Sequence, residues 1–129
     1  MSVCPCNPAL AYADCCGLLH AGTAMAATAE VLMRSRYSAY ALGGHGAYLQ
    51  QTWHPATLPD ITTASLDTAG THWIGLDVLS SSQSGERGTV EFKARFLDAS
   101  GNPQVHHEKS SFVREGGRWL YLEADGGEG

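Results

Sequence analysis

The residues best suited to metal or redox chemistry are concentrated at the start of the sequence. All four cysteines lie between Cys4 and Cys16, in the stretch Cys-Pro-Cys-Asn-Pro-Ala-Leu-Ala-Tyr-Ala-Asp-Cys-Cys. Structural zinc is held tetrahedrally by four ligands, which are commonly thiolates. Pro5 stiffens the turn between Cys4 and Cys6, and eight further residues allow Cys15 and Cys16 to return to the same ion. The pattern favours a zinc site made by Cys4, Cys6, Cys15 and Cys16.

The spacing by itself leaves other uses of these thiols open. Paired zinc ligands are usually separated by about two to four residues, whereas the pairs here are Cys-x-Cys and Cys-Cys. His20 follows Cys16 by four residues and, on a helical turn, could replace one sulfur as a ligand. Redox-active thiols, an iron–sulfur cluster and a metal-free segment are further alternatives. A disulfide is the least favoured, because vicinal cysteines would be strained and a cytoplasmic chain stays reduced.

The role expected for a zinc ion at this position is structural. Four thiolates leave no open position for water, which a catalytic zinc needs. A segment of about twenty residues buries too little apolar surface to fold by itself. The ion would therefore supply the folding energy of the segment.

A second group of candidate residues lies in the stretch 105–113. Strand alternation places His106, Glu108, Ser110 and Phe112 on one face. If Phe112 faces the core, Glu108 also points inward, where a carboxylate needs partners or takes up a proton. The side chains expected around Glu108 and Ser110, as partners or as pocket walls, are Arg34, Arg36, Tyr37, Tyr40, Trp53, His54 and Trp73.

Two interpretations of these inward residues are open. Glu108 and His54 could act as an acid and a base in a pocket. The same residue types are also typical of a buried ion pair that ties a helix to a sheet, with an ordinary aromatic core around it. This structural interpretation is favoured. The sequence has no Gly-x-Ser-x-Gly segment, phosphate loop or dinucleotide fingerprint. His45, His72 and His107 are expected on the surface or beside the site.

Two different periodicities must position these residues. Apolar residues recur at helical spacing over 30–42, and two glycines follow. Shorter helices are predicted over 46–52 and from 59 to about 65. The second half alternates apolar and polar residues between Gly-rich turns and predicts four strands, over 73–80, 88–98, 104–115 and 118–124. Helices followed by such strands indicate an α+β fold, in which an antiparallel sheet carries its helices on one side.

Length and composition are those of one ordinary globular domain. The 129 residues are 43% hydrophobic and 16% charged, and such a chain buries roughly two-thirds of its unfolded surface. The net charge is −5 and no Lys/Arg cluster occurs, so a nucleic-acid partner is not expected. No apolar run approaches the roughly 18 residues of a membrane span, and no secretory signal is visible. We expect a cytoplasmic protein with no membrane role.

Several short motifs together resemble a known bacterial family. Cys4-Pro5-Cys6, Tyr12 and the run Cys15-Cys16-Gly17 resemble the SEC-C zinc knuckle. The segments that resemble the YchJ-like family are LMRSRY (32–37), TWHP (52–55), WIGL (73–76), ARF (94–96) and GRWLY (117–121). These motifs occur in the family's order and span nearly the whole chain.

The resemblance implies both a fold and a metal. It implies a SEC-C-type zinc-binding knuckle over 1–22 and an NTF2-like domain over 23–129, a cone in which N-terminal helices pack on a curved antiparallel sheet. The ion implied is structural Zn²⁺. The family's knuckle continues with Gly-Ser and basic residues, whereas Asn7-Pro8 and the apolar run 9–11 stand here. NTF2-like relatives often dimerise through the outer face of the sheet, so a homodimer is one expectation.

The leading functional prediction is a non-catalytic, zinc-binding cytoplasmic protein that binds a protein partner or a small apolar or polar ligand. One alternative is a small enzyme of isomerase, dehydratase or hydrolase type that uses Glu108 and His54 in the cone cavity. Another is a thiol-based metal carrier or redox sensor that uses the four cysteines. The resemblance implies no defined activity.

Overall fold

A computed structural model of the chain describes residues 3–60, 62–67 and 72–124. The first unit is small and contains all four cysteines. Strand β1 (Val3–Cys4) pairs antiparallel with β2 (Asn7–Ala11), a 3-10 turn covers Tyr12–Asp14, and helix α1 spans Cys16–His20. The sequence predicted a compact segment here without these elements, because a unit this short has no periodicity long enough to read.

Helix α2 (Ala29–Leu42) is the long helix predicted from apolar spacing. Its start is capped by Thr28, whose side-chain oxygen accepts a hydrogen bond from the N–H of Val31 at 3.1 Å. Gly43 ends it with φ of 73°, a conformation that glycine adopts without steric cost. The predicted helix is confirmed. It packs both on the N-terminal unit with the cysteines and on the sheet of the second half.

Two short helices follow. Helix α3 (Gly46–Gln51) confirms the prediction for 46–52. Helix α4 (Thr63–Asp67) begins four residues later than predicted. Pro59 and Asp60 lie outside it, and the carbonyl of Thr62 accepts the first helical hydrogen bond, from Leu66 N–H at 3.2 Å. Thr62 thus occupies the cap position, which threonine favours, and the predicted start at Pro59 is wrong.

The second half folds into one antiparallel sheet of four strands in chain order. The strands are β3 (His72–Ser84), β4 (Arg87–Leu97), β5 (Pro103–Glu115) and β6 (Arg118–Ala124). All four predicted strands are present, and β3 is longer than predicted. Its pairing with β4 shifts register at two points, between Trp73 and Gly75 and between Val78 and Ser80. Such bulges bend a strand and strengthen its twist.

The core lies between α2 and the inner face of this sheet. Val90, Phe92 and Ala94 alternate along β4 and are buried, and they pack with Leu32 and Tyr37 of α2. Three of the cysteines are buried in the same cluster. The α+β architecture with helices on one face of an antiparallel sheet is therefore confirmed. No helix in the described ranges is both long and apolar enough to cross a membrane.

Candidate functional site

The four cysteine sulfurs form one cluster. They all lie within 4.8 Å of one another. Sγ of Cys6 is 3.6 Å from that of Cys4, 3.6 Å from that of Cys16 and 3.7 Å from that of Cys15. The sulfurs of the vicinal pair are 4.0 Å apart. Four ligands at about 2.3 Å from a tetrahedral zinc ion would be about 3.8 Å from one another. The spacing and the donor set therefore fit zinc.

Local structure explains how adjacent positions reach one point. The tight turn between β1 and β2 holds Cys4 and Cys6, and Cys15 caps the start of α1, whose first residue is Cys16. Cys15 has a φ of −127° and a ψ of −114°, and this backbone conformation separates the directions of the Cys15 and Cys16 side chains. All four cysteines are free thiols, and Cys15 is the only one of them that is not buried.

Helix α2 supplies the surroundings of the cluster. The hydroxyl of Ser38 donates to Sγ of Cys16 at 3.3 Å and lies 3.6 Å from Sγ of Cys4. The guanidinium of Arg34 donates to the carbonyl of Cys6 at 3.4 Å. Arg34 also pairs with Glu30 at 3.0 Å. Arg34 therefore lies beside the knuckle. The prediction that it lines the pocket around Glu108 is wrong.

The pKa values of three of the thiols are shifted in different directions. The hydrogen bond from Cys16, together with those from Cys4 and Cys15, lowers the pKa of Cys6 to about 5 against the opposing effect of burial. Burial raises the pKa of Cys15 to about 11. The hydrogen bond to Cys6, with burial, raises the pKa of Cys16. Among these thiols Cys6 is the one whose neighbours favour the charged form, and a thiolate is the form that binds a metal ion.

His20 has other partners than a metal. Its Nε2 donates to the carbonyl of Ser35 at 2.8 Å, and its Nδ1 accepts from the hydroxyl of Tyr12 at 2.6 Å. The ring also packs on His45, with centroids 4.3 Å apart. Burial lowers the pKa of His20. Because both ring nitrogens are engaged, the structure does not support His20 as an alternative ligand, and this histidine ties α1 to α2.

A cavity of about 390 Å³ lies between α2 and the inner face of the sheet. Most of its wall is aromatic, and the rings meet edge to face, as with Trp73 and Phe96 at 5.2 Å between centroids. Seven of the predicted pocket residues line it, namely Arg36, Tyr37, Tyr40, Trp53, Trp73, Glu108 and Ser110. This volume falls within the range of known small-molecule sites. An apolar wall with few polar groups is also typical of such sites.

Glu108 is the centre of a polar group inside this cavity. Its Oε1 accepts from Nε2 of His106 at 2.8 Å, and its Oε2 accepts from the hydroxyl of Ser110. Tyr121 is a further donor, and burial followed by the charge of Glu108 raises the pKa of Tyr121 to about 12. The predicted partners Arg34, Arg36 and His54 do not bind Glu108. The three donors that do come from β5 itself and from the neighbouring strand.

His106 was placed on the right face by strand alternation but was not selected as a site residue. It lines the cavity, with its ring 6.5 Å from Trp73 and 6.3 Å from Phe92. With Nε2 donating to Glu108, the neutral imidazole has its lone pair on Nδ1, and within the described residues Nδ1 has no hydrogen-bond partner. The signal that could have found it is its i, i+2 spacing from Glu108 on one strand face.

His54 lies outside the cavity. Its Nε2 is 2.8 Å from Oε2 of Glu115, and its Nδ1 accepts from the N–H of Ala56 at 3.0 Å. The backbone N–H of His54 donates to the carbonyl of Tyr121 at 2.8 Å. The corner is thus fastened to β6 by its backbone, which turns the imidazole outward. The predicted Glu108–His54 pair is not formed.

Arg36 is a buried cation at the cavity wall. The residue is only 6% exposed. Its Nη1 donates to the carbonyl of Leu49 at 2.8 Å and to the hydroxyl of Thr52 at 2.7 Å. The guanidinium carbon lies 5.1 Å from the ring centre of Trp53 and 4.7 Å from that of Tyr121. Burial lowers the pKa of Arg36, yet arginine remains charged in proteins.

The other histidines lie away from both sites. His107 pairs with Glu91 at 2.7 Å on the sheet, and His72 is exposed at the start of β3. His45 packs on His20. None of them lines the cavity.

Comparison with known proteins gives consistent matches over nearly the whole chain. A family model described as YchJ, middle NTF2-like domain, matches residues 28–124. A UPF0225 protein of Ralstonia nicotianae is 48% identical, covering 96% of this chain and 91% of its own. A UPF0225 protein of Streptomyces coelicolor is 44% identical, covering 95% and 94%.

Two solved structures are similar to this chain. The solution structure of a SEC-C motif containing protein from Rhodopseudomonas palustris has a TM-score of 0.85 and 42% identity, with 95% of this chain and 97% of that chain covered. The crystal structure of a SEC-C motif containing protein from Psychrobacter arcticus has a TM-score of 0.82 and 35% identity, with coverage of 95% and 81%.

Proposed function

The chain belongs to the YchJ-like (UPF0225) family, and on that premise we propose that it is a zinc-stabilised small-molecule binding protein. A structural zinc ion is held by Cys4, Cys6, Cys15 and Cys16 in a knuckle over 1–22. The NTF2-like domain over 23–129 binds an organic ligand in its cavity. A cytoplasmic location and a homodimer through the sheet stay predictions.

The observation that carries the binding role is the polar group around Glu108 inside an aromatic cavity. A carboxylate held by three donors on an otherwise apolar wall is preorganised, so it can orient a ligand without rearrangement. The inner face of the sheet also carries an open volume where a packed core would have none. A purely structural ion pair, the favoured sequence interpretation, would not require that space.

The support for a structural ion is the near-tetrahedral spacing of the sulfurs and their burial. Bound there, zinc would cross-link the β1–β2 turn to α1. Burial of Cys4, Cys6 and Cys16 also speaks against the metal-carrier alternative, because an exchangeable ion needs access to its ligands.

Two measurements test the proposal. Metal analysis of the purified full-length protein should give one zinc per chain, and a metal-free protein with a folded N-terminal unit would refute the zinc role. A fragment screen by ¹H–¹⁵N NMR should find compounds that shift the indole signals of Trp53 and Trp73 in the cavity. If fragments shift only surface residues, the binding role is wrong.

A small enzyme is the second candidate function, and the His106–Glu108 pair is the observation that favours it. A carboxylate bound to one imidazole nitrogen orients the ring and strengthens the other nitrogen as a base. Nδ1 of His106 would be that base, in place of the His54 predicted from sequence. The test is turnover of a cavity-binding compound, with His106→Asn expected to abolish it while the fold is retained.

A further inference from the structure

We propose that the cavity ligand is a carboxylic acid with a flat apolar body, bound through its carboxylate to Arg36. This inference rests on the proposed small-molecule role of the cone and names the chemistry of the ligand.

The first argument is the unbalanced charge of Arg36. Among the described residues no carboxylate lies within 4.0 Å of its guanidinium, although the residue is 6% exposed. A buried charge is normally paired, because removing it from water without an opposite charge is costly. The rings of Trp53 and Tyr121 offset part of that cost through their π faces. An anion in the adjoining cavity would offset the rest.

The second argument is the number of donors that Arg36 still has. A guanidinium has five N–H groups. Nη1 uses two of them, on Leu49 and Thr52, and the side chain of Tyr40 provides one further hydrogen-bond partner. Donors therefore remain at a residue that borders the cavity. Arginine presents its donors in a planar fork that matches a carboxylate.

The charge of the ligand follows from the rest of the wall. Glu108 already accepts from His106, Ser110 and Tyr121, so it is satisfied without a ligand cation. Arg36 is the only arginine or lysine that borders the cavity in the described part of the chain. One guanidinium in an apolar space suits a monoanion such as a carboxylate, whereas a phosphate dianion would need further donors.

The body of the ligand follows from the shape of the aromatic wall. Tyr37 meets Trp73 edge to face at 6.0 Å, and Trp73 meets Phe96 in the same way at 5.2 Å. Aromatic side chains in these arrangements offer faces and edges on which another ring packs favourably. A cavity of about 390 Å³ has room for a small ring system.

The test uses three compounds with one skeleton and different charge: phenylacetate, phenylacetamide and 2-phenylethylamine. Each is titrated into zinc-loaded, ¹⁵N-labelled full-length protein, and the indole signals of Trp53 and Trp73 and the Nε–H signal of Arg36 are followed. We expect phenylacetate to bind at least tenfold more tightly than phenylacetamide and to shift the Arg36 signal. The amine should bind most weakly.

Variants then assign the preference to one side chain. Arg36→Met should bring phenylacetate and phenylacetamide to equal affinity. Arg34→Met is the matched control, because Arg34 lies on the same helix but outside the cavity, and it should keep the preference. If Arg36→Met does not fold, the Arg36 Nε–H shift in the unaltered protein decides the matter.

The remaining outcomes separate this inference from the proposed function. Equal binding of all three compounds in the cavity would overturn the carboxylate inference and leave the small-molecule role intact. Tightest binding of the amine would also overturn it and would point to Glu108 as the ligand partner. Absence of any shift at Trp53 and Trp73 with all three compounds would overturn both.

Discussion

Ser38 of α2 donates a hydrogen bond to Sγ of Cys16 at 3.3 Å, so the long helix of the cone takes part directly in the cysteine cluster. Two positions before it on the same helix, Arg36 borders the cavity. The helix therefore presents one face to the proposed metal site and another to the proposed ligand site. Partners around the metal ligands orient them and tune metal affinity.

The first prediction concerns this hydrogen bond. Ser38→Ala should weaken zinc binding by roughly 10- to 100-fold, the usual effect of losing such a partner, and should lower the free energy of unfolding by about 1 kcal/mol. Competition with a chromophoric chelator measures the affinity. Ser35→Ala is the matched control, since Ser35 is equally buried on α2 and bonds to Leu32 and Tyr48 instead of sulfur. Equal zinc affinity in both variants would contradict the prediction.

The second prediction separates the cysteines from His20. Cys6→Ser should lose the zinc and the ordered NMR signals of residues 3–20, because Cys6 lies nearest to all three other sulfurs. His20→Gln should retain one zinc per chain, since both nitrogens of His20 bind Tyr12 and Ser35. Metal analysis of the two purified variants is sufficient. Loss of zinc from His20→Gln would make His20 a ligand after all.

The third prediction concerns alkaline pH. Burial and the charge of Glu108 raise the pKa of Tyr121 from its ordinary 10.0 to about 12. The folded protein therefore keeps a proton that the unfolded chain releases first, and this contribution to stability is complete below pH 10 and is lost between about pH 10 and 12. Chemical denaturation across this window should show a shallower decline for Tyr121→Phe than for the unaltered protein. A decline of identical slope would place Tyr121 in a different environment.

The fourth prediction fills the cavity. Ala94 is buried at the cavity wall, so Ala94→Leu adds an isopropyl group that extends into the cavity. Because the cavity can receive the added carbons, the loss of stability should not exceed the roughly 1–3 kcal/mol that is typical of small-to-large core substitutions, while phenylacetate binding should be lost. Val105→Leu, at an exposed position of the neighbouring strand, should leave binding unchanged. Retained binding in Ala94→Leu would place the ligand elsewhere.

The secondary structure was largely predictable because it follows from local patterns. The long helix and the four strands have enough turns or alternations for their periods to be read, and alternation also placed Glu108, Ser110 and Phe112 on one inner face. The N-terminal hairpin was missed because its strands are two and five residues long. The start of α4 was misplaced because Pro59 was taken as the start of the helix, whereas Thr62 provides the cap.

The amino-acid pattern alone favoured the four thiols as one cluster and gave the face on which Glu108 lies, but it left open whether the aromatic residues are plain core or the walls of a cavity. Which side chains meet Glu108 is a matter of tertiary structure. The backbone of the corner at His54 pairs with β6 and directs that imidazole to Glu115, whereas the pleat of β5 directs His106 and Ser110 to Glu108. Periodicity gives the direction of a side chain relative to its own element, but contacts depend on how elements pack, which long-range pairing alone decides.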